Sequence, residues 1–477
     1  MGNMLRQGSD SQNQLEVKAG DPSEKSLSPP SGKIKGRFKQ EKEFSIQSPS
    51  DARKLMKNRS RFYKTLLDCI LLDPGKLTET FNTFVTAFKD RKLASQVLSP
   101  EYFIGRDEDL RRFAVALNSQ RNVSALVLHF YESPKLTKQG MKFLALRLRR
   151  MYLSELKISF GLFSRISVEG LSPLFSGLKH LTCLSSLTLD LQYEKPLKLP
   201  AIKELVSSLK GMRRLERLRI SVKYSLIEEE VIEELFSGLG KLKRISHLSF
   251  DFSHSGIFNK SLFNNLPVML TSLKCLTSLE LVFDFHLSGE KNQIITHISS
   301  GLKSLTFLKN LTLSLLPQVP GYVESGVESL SEALREIKSL QKLDLHFSVF
   351  EFNKQYQDKL SLGLKDLKML KHFSLFLNFN KVSDQDIEEF SLVFENMKAL
   401  NVLQLKFTGH KFDKKIIHIF CKNLKRVASL KHFFLEICSK DGLNEIEKKK
   451  FISKFRDVRV ELINRASISE WCLHFYL

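Results

Sequence analysis

Cysteine is scarce and scattered. Six residues occur in the 477-residue chain, Cys69, Cys183, Cys275, Cys421, Cys438 and Cys472, with no C-x-x-C pair among them. That spacing excludes a zinc ribbon and a dithiol redox motif. Cys183 and Cys275 share one position of a repeat, three units apart. On parallel strands ~4.8 Å apart they stand ~14 Å from each other, beyond disulfide reach. Buried or free thiols in a reducing, cytoplasmic setting fit this pattern. Tryptophan occurs once. No run of about 18 apolar residues exists, which argues against a membrane-spanning helix. The first thirty residues are polar, unlike a secretory signal. Catalytic signatures are also missing. Gly238-Leu239-Gly240-Lys241 lacks phosphate-loop spacing, there is no H-E-x-x-H, and no strand-turn-helix serine elbow is present. The twelve histidines are spread along the chain without metal-ligand spacing. No catalytic, cofactor-binding or metal-binding residue is assigned, no cofactor is expected, and the chain is read as a non-enzyme. Acid is in deficit too: 52 Asp and Glu face 74 Lys and Arg, a formal charge of +22. Such a balance favours acidic partners, with a lysine-rich solvated surface as the plain alternative.

What the chain has in abundance is one apolar phrase. Its cleanest copy is Leu184-x-x-Leu187-x-Leu189-x-Leu191. The phrase recurs with its second residue at Leu126, Leu156, Leu187, Leu218, Leu248, Leu279, Leu311, Leu343, Phe373, Leu403 and Phe433, in steps of 30 to 32 residues. Alternation with period two predicts a strand with one buried face. Between phrases, apolar residues recur at helical spacing, as in Val231, Ile232, Leu235 and Leu239. Ser225 and Glu228 have the spacing of a capping box before that helix. Each unit is therefore strand, loop, helix and turn, and stacked units put parallel strands in one sheet with helices over one face. Phe455, Val458, Val460 and Leu462 read as a shortened twelfth unit.

The flanks differ. Residues 1–50 have the composition of a disordered basic, polar tail, with Lys33, Lys35, Arg37 and Lys39 clustered in it. Gly2 is an incomplete myristoylation signal, since Arg6 stands where Ser or Thr is wanted. Residues 51–110 carry helical stripes, such as Leu66, Leu67, Ile70 and Leu71, and read as an N-terminal cap. Residues 111–440 hold the repeats, and 441–477 a C-terminal capping unit.

The L-x-x-L-x-L phrases, from Val123 to Ile437, resemble those of leucine-rich-repeat proteins, and the strand-plus-helix unit is most similar to the ribonuclease-inhibitor-like class. The resemblance implies an α/β solenoid of about eleven repeats, curved as a horseshoe, with the parallel sheet on the concave face and helices on the convex face. It also implies protein binding on the concave face. One departure stands out. The family's turn asparagine is mostly replaced: Gln192, Lys223, Ser253 and Asp284 occupy its place. A different closure of the turn is then required.

In this geometry the residues between the leucines are displayed. Asp190, Arg219, Asp251, Glu280, Asp344, His346, Lys406 and Glu436 are the candidate concave-face contacts. Their mixed charge argues against a nucleic-acid-reading floor, which should be uniformly basic. A basic rim is expected between helix and strand: Lys179, Arg213, Arg214, Lys241, Lys243, Arg244, Lys274, Lys303, Lys365 and Lys368. Either these cations complement helix C-termini or they form a docking edge for an acidic partner. Tyr193, Tyr224, Phe285 and Phe379 continue the inward alternation and read as core. The function expected is a protein-interaction scaffold. Alternatives are a basic nucleic-acid-binding protein (with the nucleus as its place), a scaffold anchored to membrane through a lipidated Gly2, and a regulator of a small GTPase, the last by analogy of fold alone.

Overall fold

The computed structural model describes Val97–Leu98, residues 106–438 apart from 118–122, 131–134, 162–165, 167, 193–196, 225–226, 256–263, 286–290, 318–323, 349–353, 379–383, 409–422, 425 and 428, and Glu470–Tyr476. Among the described residues thirteen strands form one sheet in strict chain order, every pair parallel. The strands are β1 (Val97–Leu98), β2 (Ala125–Phe130), β3 (Glu155–Phe160), β4 (Ser186–Gln192), β5 (Arg217–Lys223), β6 (His247–Phe252) and β7 (Ser278–Phe285). They continue as β8 (Asn310–Pro317), β9 (Lys342–Ser348), β10 (His372–Asn378), β11 (Val402–Thr408), β12 (His432–Cys438) and β13 (Glu470–Tyr476). Helices alternate with them: α1 (Asp107–Ala116), α2 (Lys138–Leu148), α3 (Val168–Leu178), α4 (Leu199–Gly211) and α5 (Glu229–Leu239). After these come α6 (Asn265–Ser272), α7 (Lys291–Leu302), α8 (Glu324–Glu336), α9 (Lys354–Leu364) and α10 (Asp384–Leu392). Strands β2 to β12 are the eleven repeat strands. The architecture is a leucine-rich-repeat type of α/β solenoid.

The register explains why the phrase repeats so strictly. Leu156 lies opposite Leu187, Leu187 opposite Leu218 and Leu218 opposite Leu248, and the same column runs on to Phe433. A slip of one residue in any unit would turn its leucines to the solvent face. The fourth apolar residue belongs to the same face: Leu191, Val222, Phe252 and Phe283 are all buried. Phe252 stacks on Phe283 of the next strand at 5.5 Å between ring centres. Each buried large apolar side chain contributes ~1.5–3 kcal/mol before entropy, so the column stabilises the stack and no unit stands alone.

With the asparagine mostly gone, backbone and serine groups close the unit. The Ser154 carbonyl accepts the N–H groups of Ser185 and Ser186 at 2.8 and 3.0 Å, and the Ser185 carbonyl accepts those of Glu216 and Arg217 at 2.9 Å each. The pattern recurs through Asn401, whose carbonyl takes Lys431 and His432. After the strand, the buried Ser255 hydroxyl donates to the Val222 carbonyl of the preceding unit at 2.5 Å. Tyr224 and His254, one repeat apart, both take the left-handed backbone conformation and stack face to face at 4.9 Å.

Three expectations change. Within the stretch read as a helical cap, Val97–Leu98 is a strand that pairs with β2, and α1 crosses the boundary set at 110/111; the rest of 51–110 and the tail 1–50 lie outside the described residues. The strand beside β12 is Glu470–Tyr476, with Trp471, Leu473 and Phe475 in register with Phe433, Leu435 and Ile437. The phrase at Phe455–Leu462 lies outside the described residues. Helix α5 starts at Glu229, so Glu228 is its N-cap residue and makes no capping bond; it pairs with Lys198 instead.

Candidate functional site

One face of the sheet is covered by helices. The other carries the residues between the leucines in rows set by the strand register. Arg219, Glu280 and Asp344 belong to one row; Asp190, Asp251, His346, Lys406 and Glu436 belong to the next. The structure joins many of these to each other or to near neighbours. Arg219 reaches across β6 to Glu280 at 3.0 Å, and Ser249 on the intervening strand donates to the same carboxylate oxygen at 2.7 Å. Asp251 is only 5 % exposed. It accepts from the Ser253 hydroxyl and N–H at 2.7 and 3.1 Å and pairs with Lys223 at 2.9 Å. Burial pushes its carboxyl up, but the Lys223 and Ser253 bonds together outweigh this and hold it below the usual range. Asp344, 9 % exposed, sits 3.0 Å from Lys342 and 3.2 Å from His372 Nε2, and accepts from Thr312. There too burial is outweighed, and the carboxyl is lowered. The solvated aspartates expected at these two places are therefore locked in place.

Toward the C-terminal end the second row becomes a continuous chain of contacts. His346 meets the Phe376 ring edge-on at 5.8 Å. Lys406 lies over the same ring, 5.3 Å from its centre, and pairs with Glu436. Burial keeps His346 below its ordinary pKa, and so uncharged near neutral pH. Phe376 and Phe434 are half-buried on this open face. At the other end His129, Ser159, Asp190 and Ser221 lie side by side on β2 to β5. Ser159 and Ser221 are buried and their hydroxyls find no partner, nor does one oxygen of Asp190. The order puts serine between the base and the acid. A nucleophilic relay needs the histidine between them, so the row does not make a triad.

All ten cations of the expected rim are exposed, and they occupy six of the seven helix-to-strand turns from α3–β4 to α9–β10. Helix capping accounts for little of it. The Leu178, Met212 and Leu239 carbonyls of these turns already accept backbone N–H groups at 2.9–3.1 Å. Among the ten, Lys243 does reach a helix end, at 2.9 Å from the Gly240 carbonyl. Arg244 approaches Glu216 and Lys303 approaches Glu332. Lys179, Arg213, Arg214, Lys241, Lys274, Lys365 and Lys368 have no side-chain partner among the described residues. The same turns hold exposed apolar groups that the leucine pattern concealed. Tyr152 is 81 % exposed, Phe307 67 % and Met369 50 %. Each directly precedes the first leucine of its phrase, the position filled by Arg214 and Arg244 elsewhere.

Of the four aromatics read as core, Tyr224 is exposed, because its left-handed backbone turns it out of the alternation. The side chains of Tyr193, Phe285 and Phe379 lie outside those described. Cys183 and Cys275 are free thiols. Among the described residues no three metal-ligating side chains gather, and no helix is long and apolar enough to cross a membrane.

No protein-family model matches the chain, and no curated protein sequence matches it significantly. A solved structure similar to it is a chain of the yeast Rad7–Elc1 complex. That likeness has 14 % identity and a TM-score of 0.38, covering 83 % of this chain and 87 % of the other. So loose an overlap transfers neither partner nor activity.

Proposed function

We propose that the protein is a non-enzymatic interaction scaffold, akin to the ribonuclease-inhibitor-like repeats. The open face of its sheet holds a protein partner, and its basic rim draws in an acidic ligand. The observation that carries this reading is the division of charge. On the face, Arg219, Glu280, Asp251, Asp344, Lys406 and Glu436 are paired within the molecule. Along the rim the cations are regularly spaced and largely unpaired. A pre-paired face gives a rigid contact surface at low ordering cost, while an unpaired edge supplies steering. The half-buried Phe376, flanked by His346 and Lys406, is the anchor of the face.

The test is a pull-down with the full chain against two variants. Phe376→Ala with Lys406→Ala should lose the protein partner while the circular dichroism is kept. A rim variant, Arg213→Glu with Arg214→Glu and Lys274→Glu, should keep the partner at low salt and lose the salt dependence of capture. Identical capture by all three proteins refutes the assignment.

A further inference from the structure

The rim's chemistry is more specific than positive charge. We propose that it is a track for single-stranded nucleic acid. The inference rests on the reading of the rim as a docking edge and names the ligand of that edge.

Three observations carry it. The first is linearity. The helix-to-strand turns follow one another with the strands, ~4.8 Å apart, so the seven steps from Tyr152 to Met369 span roughly 35 Å. The edge is narrow, one turn deep per unit. A globular partner needs a rounded patch with a dry centre, whereas a linear polymer needs a ridge. The second is the unpaired state of the cations. Lys179, Arg213, Arg214, Lys241, Lys274, Lys365 and Lys368 find no partner among the described residues, and the turn carbonyls do not need them. A phosphodiester backbone supplies one anion per step, and each phosphate neutralised releases a counterion.

The third observation selects nucleic acid over an acidic protein. One repeat position, just before the first leucine of the phrase, holds Tyr152, Arg214, Arg244 and Phe307 in four of its copies. All four are exposed. They are flat side chains, and flat aromatic and guanidinium groups are what unpaired bases stack on. Both rings have cations close in sequence: Arg149 and Arg150 precede Tyr152, and Lys303 and Lys309 bracket Phe307. A purely acidic peptide such as polyglutamate has carboxylates for the lysines but no aromatic faces for the rings. A duplex presents phosphates but hides its base faces. A single strand offers both. Stacking on flat side chains does not discriminate among bases, so the proposal expects binding indifferent to sequence.

The test is fluorescence anisotropy with the full-length protein and labelled oligo(U) and oligo(dT) of about 20 nucleotides, a length that covers more than one stacking site. Duplex DNA of the same length and polyglutamate serve as competitors. The proposal expects binding of the single strands, with affinity falling linearly on a log–log plot against salt at about 0.7 per phosphate contacted. Tyr152→Ala and Phe307→Ala should each weaken binding by about five- to tenfold and leave that slope unchanged, because a ring carries no charge. Arg213→Glu with Arg214→Glu and Lys368→Glu should flatten the slope. Circular dichroism confirms that each variant is folded. Duplex binding as tight as the single strand, or ring variants with unaltered affinity, overturns the proposal. If polyglutamate binds and neither strand does, the docking edge stands and its ligand is an acidic protein. If none of the three binds, both readings fail.

Discussion

Gly363→Ala is expected to destabilise the protein, although the same change in an ordinary helix stabilises it. Gly363 lies in α9 and faces α8. In a helix interior Ala is favoured over Gly by about 1 kcal/mol, because glycine loses more backbone freedom on folding. Here an added Cβ would stand 2.7 Å from the Ser331 Cα, 2.9 Å from its Cβ and 3.0 Å from its carbonyl oxygen. Two of those three atoms are backbone, so no rotamer change relieves them. Ordinary contact begins near 3.4 Å, so the helices must part locally by ~0.7 Å. A gap of that size forfeits about a quarter to a half of each dispersion contact across it. Leu330, Leu334, Leu360 and Leu364 are fully buried at this junction and would lose such contacts. Overpacking of this kind costs about 1–3 kcal/mol. Set against the propensity gain of about 1 kcal/mol, the net loss should be up to about 2 kcal/mol. Gly211→Ala is the control, since its Cβ meets only the Lys179 carbonyl at 3.3 Å and the mobile Lys179 stem at 3.7 Å. It should be neutral or stabilising by several tenths of a kcal/mol. Urea unfolding followed by far-ultraviolet circular dichroism reads both midpoints. If Gly363→Ala raises its midpoint as much as Gly211→Ala does, the close approach of α8 and α9 is wrong, and with it the packing along that helix layer.

Leu281→Asp should abolish the cooperative melt, since it puts a charge at a fully buried place in the leucine column. Glu280→Ala, its neighbour on the open face, should cost no more than about 1 kcal/mol, the usual limit for a partly exposed ion pair; equal damage from both would show that the register is wrong. Asp251→Asn tests the buried ion pair through pH. The Asp251 carboxyl is held below its ordinary pKa in the folded chain. Its contribution is therefore fully present above about pH 4 and is lost as pH falls through the folded value. The variant should be less stable than the parent by roughly 1–3 kcal/mol at neutral pH, and urea midpoints should converge below pH 4; a gap constant with pH would refute the linkage. Ser208→Ala removes a buried hydroxyl that donates to the Phe175 carbonyl at 2.6 Å. It should lower stability by about 1 kcal/mol in the same assay.

The repeat strands were legible because they obey two rules at once. The leucine phrase has period two within a strand and a period of about thirty between strands, and stacked parallel strands need both. The ends of the sheet obey only the first. Val97–Leu98 is too short to show alternation, and Glu470–Tyr476 falls 38 residues after β12, off the repeat step. The residues between the leucines were readable as a set, but their pairing was not. Arg219 meets Glu280 two strands and 61 residues away, a contact that depends on the register of β6 between them. Tyr224 deceived the alternation because its backbone turns left-handed just after the strand ends. Tyr152 and Phe307 were passed over for the opposite reason. They stand beside a leucine, and a scan for apolar period absorbs any ring into the stripe. Aligning the turns by repeat would have shown two rings at a position that elsewhere holds arginine.

The division of work proposed for face and rim has an electrostatic basis. A solenoid repeats every position, so a charge placed on one unit meets its counterpart only ~4.8 Å away on the next. On the sheet face, acids and bases lie within reach of each other, and the molecule pairs them internally: Arg219 with Glu280, Lys223 with Asp251, Lys406 with Glu436. On the rim, cations recur from Lys179 to Lys368, and seven of the ten have no side-chain partner among the described residues. Natural surfaces usually intersperse the signs, which avoids repulsion between like charges. A row of like charges sustained through successive turns, each free to take an acid from the adjoining helix, costs stability in the isolated molecule. On the proposed reading, that cost is offset when an anion of matching length lies along the rim. The same argument fixes the salt response: stability of the isolated chain should rise as salt screens the rim, while affinity for a polyanion falls. Opposite slopes in one protein would mark the rim as built for a ligand; parallel slopes would mark it as ordinary solvated surface.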